Sequence, residues 1–351
     1  MSPLEVTKCD LLIVGNRGGS NIGGSFARSA AELEIPAMLM ESREAMEAPR
    51  WLNRFNWYAR GRRPTRLAAF ADRVVAQCQR LAPRVLLATG LAPLTAEALR
   101  KIRRFGTYCV NYLTDDPWNP AHRGNWFFRG LPEYDCVFTP RRANIYDLSQ
   151  ICRRVEFLRF GYDPLLFHPP DLDQNEACDL ASDVLLAGGA DRDRASLIGA
   201  LAESGIQVRL YGSYWDRYPQ TRGMSLGQAE IPVLRNAIAA CKVALCLIRR
   251  ANRDGHCMRT FEVPAVGACM LVEFTSDHVE LFGPSGHAVR YFRSNTEMLF
   301  EARQLLADEA ERRRLSVTAH RLIVNGRHTY RDRLEQILAM ISDESHRGTR
   351  D

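Results

Sequence analysis

The chain has 351 residues, 46% of them hydrophobic and 25% charged, and 47 Lys and Arg against 41 Asp and Glu leave a formal net charge of +6. Such a length supports two cores of about 150–180 residues each, and so small an excess of positive charge does not argue for a nucleic-acid partner. Ten cysteines with no CxxC pair speak against a zinc site or a disulfide framework. There is no leader-like segment and no apolar run near the roughly 20 residues that span a bilayer, so a cytoplasmic protein without a transmembrane segment is expected.

In chain order, short apolar runs alternate with helical periodicity, the pattern of βαβ units and parallel sheets. Strands are predicted at 10–15, 36–41, 84–89, 107–113, 134–139 and 155–160, with helices at 21–33, 66–81 and 95–104 between them. Residues 51–63, WLNRFNWYARGRR, carry aromatics and arginines and read as an acceptor-side loop or helix. The stretch 167–183 holds two prolines and five acids with little apolar periodicity, and reads as a linker. A second series follows: strands at 184–188, 207–211, 242–248 and 269–274, and helices at 194–204, 232–241 and 260–266. After 294 the pattern turns helical, at 296–306, 308–323 and 330–342. Two Rossmann-like sheets in tandem account for this order, with disorder confined to the ends.

The first strand runs into GNRGGSNIGGS, residues 15–25. Glycines here let the backbone approach another molecule, and the helix that follows offers N–H groups to an anion. Gly18, Gly19, Ser20 and Asn21 are therefore candidates for a phosphate or acceptor loop. A tight turn without a ligand would also explain them, since neither GxGxxG nor a Walker GK[ST] is present.

The stronger constellation lies in the second half. Gly188 and Gly189 end a strand just before Arg192 and Arg194, a setting that suits a diphosphate. CLIRRANRDGHCMRTFE, residues 246–262, then gathers Arg250, Asn252, Asp254, Arg259, Thr260 and Glu262 directly after a buried strand. In open α/β sheets ligands bind beyond the carboxyl ends of the strands. Pro264 fits a first helical turn, which puts the helix start at 258–260, with Arg259 and Glu262 one turn apart. On this reading Arg259 and the helix start hold a diphosphate while Glu262 accepts hydrogen bonds from ribose hydroxyls. A surface ion pair on a core helix is the alternative. A Glu262 sealed inside a core, or a helix start pointing to bulk water far from any groove, would count against the enzymatic reading as a whole.

These stretches together, with YLTDDPWN, YDCVFTP, LRFGYDPLLFHP, VRLYGSYW, ELFGPSGHAVRYF and GRHTYRDRLEQIL, resemble the CgeB-like (spore maturation protein-like) glycosyltransferases, within the glycosyl transferases of group 1. The resemblance implies a GT-B fold: two Rossmann-like domains facing a central cleft, with a C-terminal helix crossing between them. The corresponding division is 1–168 for an acceptor-side domain, 169–327 for a donor domain and 328–351 for the last helix. It further implies a metal-independent, retaining transfer from a nucleoside-diphosphate-sugar, without cofactor, to a small-molecule, glycan or peptide acceptor. Gly188, Gly189, Arg192, Tyr211, Arg250, Asn252, Arg259, Thr260 and Glu262 are then expected at the donor. Related retaining enzymes carry two acids separated by seven residues, here Asp254 and Glu262, with aspartate where glutamate is usual. Asp115 and Asp116, at the end of a strand, are candidates to orient or deprotonate an acceptor hydroxyl, although Asp-Asp-Pro also starts turns. Two rival readings keep the nucleotide-sugar: a GT-B-type epimerase, and a non-catalytic nucleotide-sugar-binding protein.

Overall fold

A computed structural model describes residues 9–347, and the expected disordered ends lie outside them. The chain forms two compact units. The first comprises the residues up to Arg159, the segment Arg249–Asp254 and the chain from Tyr330 on; the second comprises Phe160–Ile248 and Gly255–Thr329.

The first unit opens with β1 (Leu11–Gly15), α1 (Ile22–Glu32), β2 (Ala37–Glu41), α2 (Arg50–Ala59), α3 (Leu67–Leu81), β3 (Val85–Thr89), α4 (Ala96–Arg104) and β4 (Tyr108–Tyr112). It continues with α5 (Asn125–Gly130), β5 (Cys136–Thr139), α6 (Arg142–Ser149) and β6 (Val155–Phe157). Its strands form one parallel sheet in the order β2-β1-β3-β4-β5-β6. LLIVG of β1 is buried on both faces, as continuous apolar strands of parallel sheets must be when helices cover both sides. Leu12, Val14, Leu86 and Ala88 of the sheet share a core with Phe70 and Val74 of α3 and Leu99 and Ile102 of α4.

The second unit contains α7 (Gln174–Leu180), β7 (Ser182–Ala187), α8 (Arg192–Glu203), β8 (Val208–Tyr211), α9 (Ile231–Ala240), β9 (Cys241–Cys246), α10 (Arg259–Val266) and β10 (Met270–Glu273). After these come α11 (Ser276–Phe282), β11 (Arg290–Phe292), α12 (Asn295–Ala307) and α13 (Glu309–Val324). The parallel order is β11-β10-β9-β7-β8. Val184, Leu186, Val243, Leu245 and Leu271 pack with Leu197 and Ile198 of α8 and Met298 of α12.

The last helix, α14 (Tyr330–Arg347), packs against α1 within the first unit. Tyr330, Leu334, Ile337 and Ile341 form its buried stripe, the spacing that puts apolar side chains on one helical face. Tyr330 meets Phe26 of α1 edge to face, with ring centroids 5.6 Å apart.

Three details depart from the sequence expectations. The stretch read as a linker contains α7, whose start is a capping box between Asp173 and Glu176. The strand expected at 155–160 ends at Phe157. Pro264 lies inside α10 rather than in its first turn, so the helix start at Arg259 is where it was expected but not for the reason given. Among the described residues no helix is long and apolar enough to cross a membrane.

Candidate functional site

In the second sheet β7 and β9 are neighbours, and the connection leaving β7 runs to β8 on one side while that leaving β9 runs to β10 on the other, so the chain parts at the carboxyl ends of these two strands. This is the switch point at which open α/β sheets bind ligands. The Gly188–Gly189 turn and the exit of β9 are joined there by one side chain. Arg194 donates from Nη1 to the Gly189 carbonyl at 3.1 Å and from Nη2 to the Leu247 carbonyl at 2.9 Å. Buried by these bonds, Arg194 is a clamp of the strand ends and not a ligand arm; sequence reasoning had grouped it with Arg192, which is exposed.

Glycine is demanded around this turn. At Gly212, φ is +132° and a Cβ would lie 2.0 Å from the Gly188 oxygen, because the turn after β8 passes directly under the one after β7. The Gly188 N–H donates to the Tyr211 carbonyl at 2.9 Å, and Trp215 Nε1 donates to the Gly188 carbonyl at 3.0 Å. Tyr211 itself is buried. The Gly189 N–H has no backbone partner among the described residues. At the start of α8 the Asp191 carboxylate accepts the Arg194 N–H at 3.0 Å, so part of that helix's capacity for an anion is met internally.

The start of α10 is different: it has no side-chain cap, and a fixed scaffold holds it. His256 Nε2 accepts the Phe160 N–H at 3.2 Å, which leaves the proton on Nδ1, 2.9 Å from Asp277 Oδ2. Gly255 is required beside this pair, since a Cβ there would stand 2.3 Å from Asp277 Oδ2. Thr260 Oγ1 accepts the Cys257 N–H at 3.1 Å and lies 3.0 Å from His278 Nε2, while His278 Nδ1 is 2.9 Å from the Glu273 carbonyl. Burial holds His278 neutral, its pKa pushed down to about 4. Thr260, expected at the donor, is thus turned inward with its hydroxyl spent on the scaffold.

Glu262 is 1% exposed and forms an ion pair with Arg259, whose side chain keeps 20% exposure. Arg259 also lies over the Phe167 ring. The carboxylate is enclosed and bound by the guanidinium, so it does not present its oxygens to a ribose; the outcome that counts against the enzymatic reading of this helix is the one found at Glu262, and that reading has to stand on other groups of the sheet edge. Nor is the pair the surface ion pair of the alternative: a buried acid fixes a partly exposed cation at the start of α10.

Arg249–Asp254, though it leaves β9, belongs to the first unit. Asn252 accepts a hydrogen bond from Asn119 Nδ2. Arg253 donates to both oxygens of Asp116, at 2.6 and 3.2 Å, and to Asp147 at 2.7 Å, and these acids push its pKa upward. Arg141 Nε donates to Asp254 Oδ1 at 2.6 Å with the two side chains only 2% and 6% exposed, and Asp254 Oδ2 accepts the Arg249 N–H at 3.2 Å. Asp116 also accepts the Trp118 N–H at 3.0 Å. Two carboxylates expected to be catalytic, Asp116 and Asp254, are therefore engaged in holding this segment, and the arginine that occupies Asp254 had not been singled out. Arg141 lies just past β5, at a carboxyl strand end where charge signals a site, but its partner is 113 residues away. Arg250 is exposed.

At the first sheet's edge, Asp115 is half-buried, and Thr114 Oγ1 donates to its carboxylate at 3.4 Å. The glycine loop largely packs on itself. A Cβ would lie 2.4 Å from Thr89 Oγ1 at Gly15, 2.9 Å from Asn16 at Gly23 and 2.2 Å from the Arg17 oxygen at Gly24. Gly18 and Gly19 are exposed, Gly18 with nothing within 4 Å of its Cβ position and Gly19 at φ +62°. Asn21 folds back onto the Gly18 carbonyl, and Glu41 accepts the Arg17 N–H at 3.0 Å. Among the described residues no group of three or more His, Cys, Asp or Glu side chains could hold a metal ion.

A family model described as Glycosyl transferase-like matches residues 192–339. A search of curated proteins found no match. Among solved structures the chain is similar to a sucrose-phosphate synthase from Thermosynechococcus elongatus, with a TM-score of 0.68, 11% identity and coverage of 96% of this chain and 100% of the other. It is also similar to Anabaena HepE in complex with UDP-glucose, with a TM-score of 0.64, 14% identity and coverage of 95% and 99%. A third is the α,α-trehalose 6-phosphate synthase from Burkholderia multivorans, with a TM-score of 0.62, 10% identity and coverage of 98% and 99%. At these identities the likeness is one of fold: two parallel-sheet, Rossmann-like α/β domains as in GT-B glycosyltransferases.

Proposed function

We propose that the chain is a glycosyltransferase of the CgeB-like group that takes its sugar from a nucleoside-diphosphate-sugar bound at the carboxyl edge of the second sheet. The observation that carries this reading is the β7–β9 switch point, where Arg194 ties the Gly188–Gly189 turn to the exit of β9. In this reading the Gly189 N–H, the uncapped start of α10 and the exposed side of Arg259 meet the diphosphate, joined by Arg192. Charge that develops on the departing diphosphate would then face preorganised donors, the kind of stabilisation that lowers a barrier to group transfer. As the glycosidic bond to the phosphate breaks, its electron pair stays on the diphosphate oxygen, and the acceptor hydroxyl supplies the new oxygen at the same carbon. We assign Asp115, whose carboxylate meets no arginine among the described residues, to orient the acceptor hydroxyl and take its proton as the new bond forms, and give Asp116 and Asp254 positioning roles. We further propose that the anomeric configuration is retained.

The fold likeness to HepE in complex with UDP-glucose supports the choice of donor class. Calorimetry with UDP, TDP, GDP and ADP, on the wild type and on Arg259→Ala, tests the reading. One diphosphate should bind, and the variant should bind it at least about tenfold more weakly, as loss of a charge-assisted contact requires. Equal binding by the variant, or no response to any of the four, would overturn the assignment. Incubation of the protein with the sugar-nucleotide alone separates the epimerase reading, in which the donor is converted without an acceptor.

A further inference from the structure

Residues 50–66 hold six arginines and no acid, so the formal charge of this one stretch equals that of the entire chain. Within it, α2 is turned inside out. Its two asparagines face the protein: Asn53 Nδ2 donates to the Met46 carbonyl at 2.8 Å and to the Ala48 carbonyl at 3.1 Å, and Asn56 Nδ2 donates to Thr65 Oγ1 at 3.0 Å. Its aromatic side chains face outward, with Trp51 70%, Phe55 52% and Tyr58 79% exposed. The spacing of these three puts them on one stripe of the helix. Arg50, Arg54, Arg60 and Arg63 are exposed around them. Arg62 anchors the far end by donating to the Ala121 and Arg123 carbonyls at 3.0 and 3.2 Å. The glycine-loop and donor-edge residues lie elsewhere in the chain, and the proposed transfer makes no use of this face.

We propose that α2 docks the protein on an anionic lipid surface, with Trp51, Phe55 and Tyr58 in the headgroup–acyl boundary and the arginines against lipid phosphates. Three large aromatics on the solvent side of a helix whose asparagines are spent inward suit an apolar partner, and the ring of arginines suits an anionic one. An acidic bilayer supplies both at once, and amphipathic helices with this pairing of Trp or Phe and basic residues lie in the plane of such interfaces. A second copy of the chain is disfavoured, because a two-fold interface would set this stretch of arginines against itself.

The test is flotation of the full-length protein with vesicles of phosphatidylcholine alone and of an equimolar mixture with phosphatidylglycerol. Binding should be confined to the anionic vesicles, fall steeply in high salt and shift the tryptophan emission to the blue. Arg54→Glu with Arg60→Glu should weaken binding at least about 20-fold, given the contribution of each basic residue near an anionic surface. Trp51→Ser with Tyr58→Ser should weaken it comparably while leaving salt sensitivity in place. All four side chains are exposed, so both pairs of changes should keep the wild-type thermal midpoint, and a shifted midpoint is answered by repeating the test with Trp51→Ser alone. Equal flotation with both vesicle types, binding unaffected by either pair, concentration-dependent self-association through this face, or binding to poly-glutamate but not to vesicles would each overturn the proposal. None of these readouts involves a sugar-nucleotide, so failure here leaves the donor assignment standing, and the reverse also holds.

Discussion

Asp254→Asn separates a catalytic carboxylate from a structural one. The substitution is nearly isosteric and keeps an oxygen for the Arg249 N–H, so its effect is the loss of charge opposite Arg141. With the side chains 2% and 6% exposed, solvent cannot replace that charge, and breaking a buried pair by removing one partner costs about 3–5 kcal/mol. We take about 3 kcal/mol, because Arg141 has further contacts. For a urea m-value of about 2 kcal/mol/M, the midpoint should fall by roughly 1.5 M. Four of the five tryptophans, Trp51, Trp57, Trp118 and Trp126, are in the first unit, so intrinsic fluorescence follows the unit that contains the pair. Arg141→Met should cost about as much, and the double variant less than the two together, since each single change strands the other charge. Asp116→Asn is the internal contrast: Arg253 is 38% exposed and retains Asp147, so the loss should be about 1 kcal/mol. An Asp254→Asn midpoint within about 0.3 M of wild type would refute the structural role and return Asp254 to the chemistry.

If Glu262 acts by holding Arg259, Glu262→Gln should weaken binding of a nucleoside diphosphate and of its 2′-deoxy form by the same factor in calorimetry; a ribose contact would penalise the ribose form more. Gly212→Ala, at φ +132° with its Cβ directed at the Gly188 oxygen, should destabilise the second unit by more than about 2 kcal/mol, measured by urea unfolding, whereas Gly18→Ala meets nothing within 4 Å and should leave the midpoint unchanged. If Gly18→Ala nevertheless lowers activity, the loop approaches a ligand. Acid should destabilise the fold through His278: its pKa of about 4 when folded lies below the ordinary 6.5, so the unfolded chain binds the proton more readily and stability falls as the pH drops from 6.5 towards 4. Between pH 7 and pH 5 the loss should be about 2 kcal/mol, and it should vanish in His278→Gln.

The architecture was legible because the strands of both sheets are buried on two faces and read as unbroken apolar runs, set apart by helices with one apolar stripe. What escaped was short: β11 is three residues, and α5, α6 and α11 are six to eight, too few for a period to emerge. The capping box of α7 was present in DQNE, but two nearby prolines and a run of acids outweighed it. At the site, residue types and strand-end positions could be read, and the Gly188–Gly189 turn and the start of α10 follow from them. Occupancy could not be read. Whether Asp116 is available depends on Arg253, 137 residues along the chain, and whether Glu262 is available depends on how closely its neighbours enclose it. Local spacing encodes neither. The glycines at 15, 23 and 24 show the same limit, since the close approach they permit is made by the chain itself.

Because the first unit is assembled from three separated stretches of chain, its birth on the ribosome is discontinuous. The sheet is complete when β6 has emerged, yet α1 still lacks the helix that covers it and Asp116 still lacks Arg253. At synthesis rates of about 5–20 residues per second, Arg347 follows Phe160 by roughly 10–40 s, during which the face of α1 that will receive Tyr330 stays bare. A nascent chain stalled in that interval should be captured by holdase chaperones, and the capture should cease once the last helix is released.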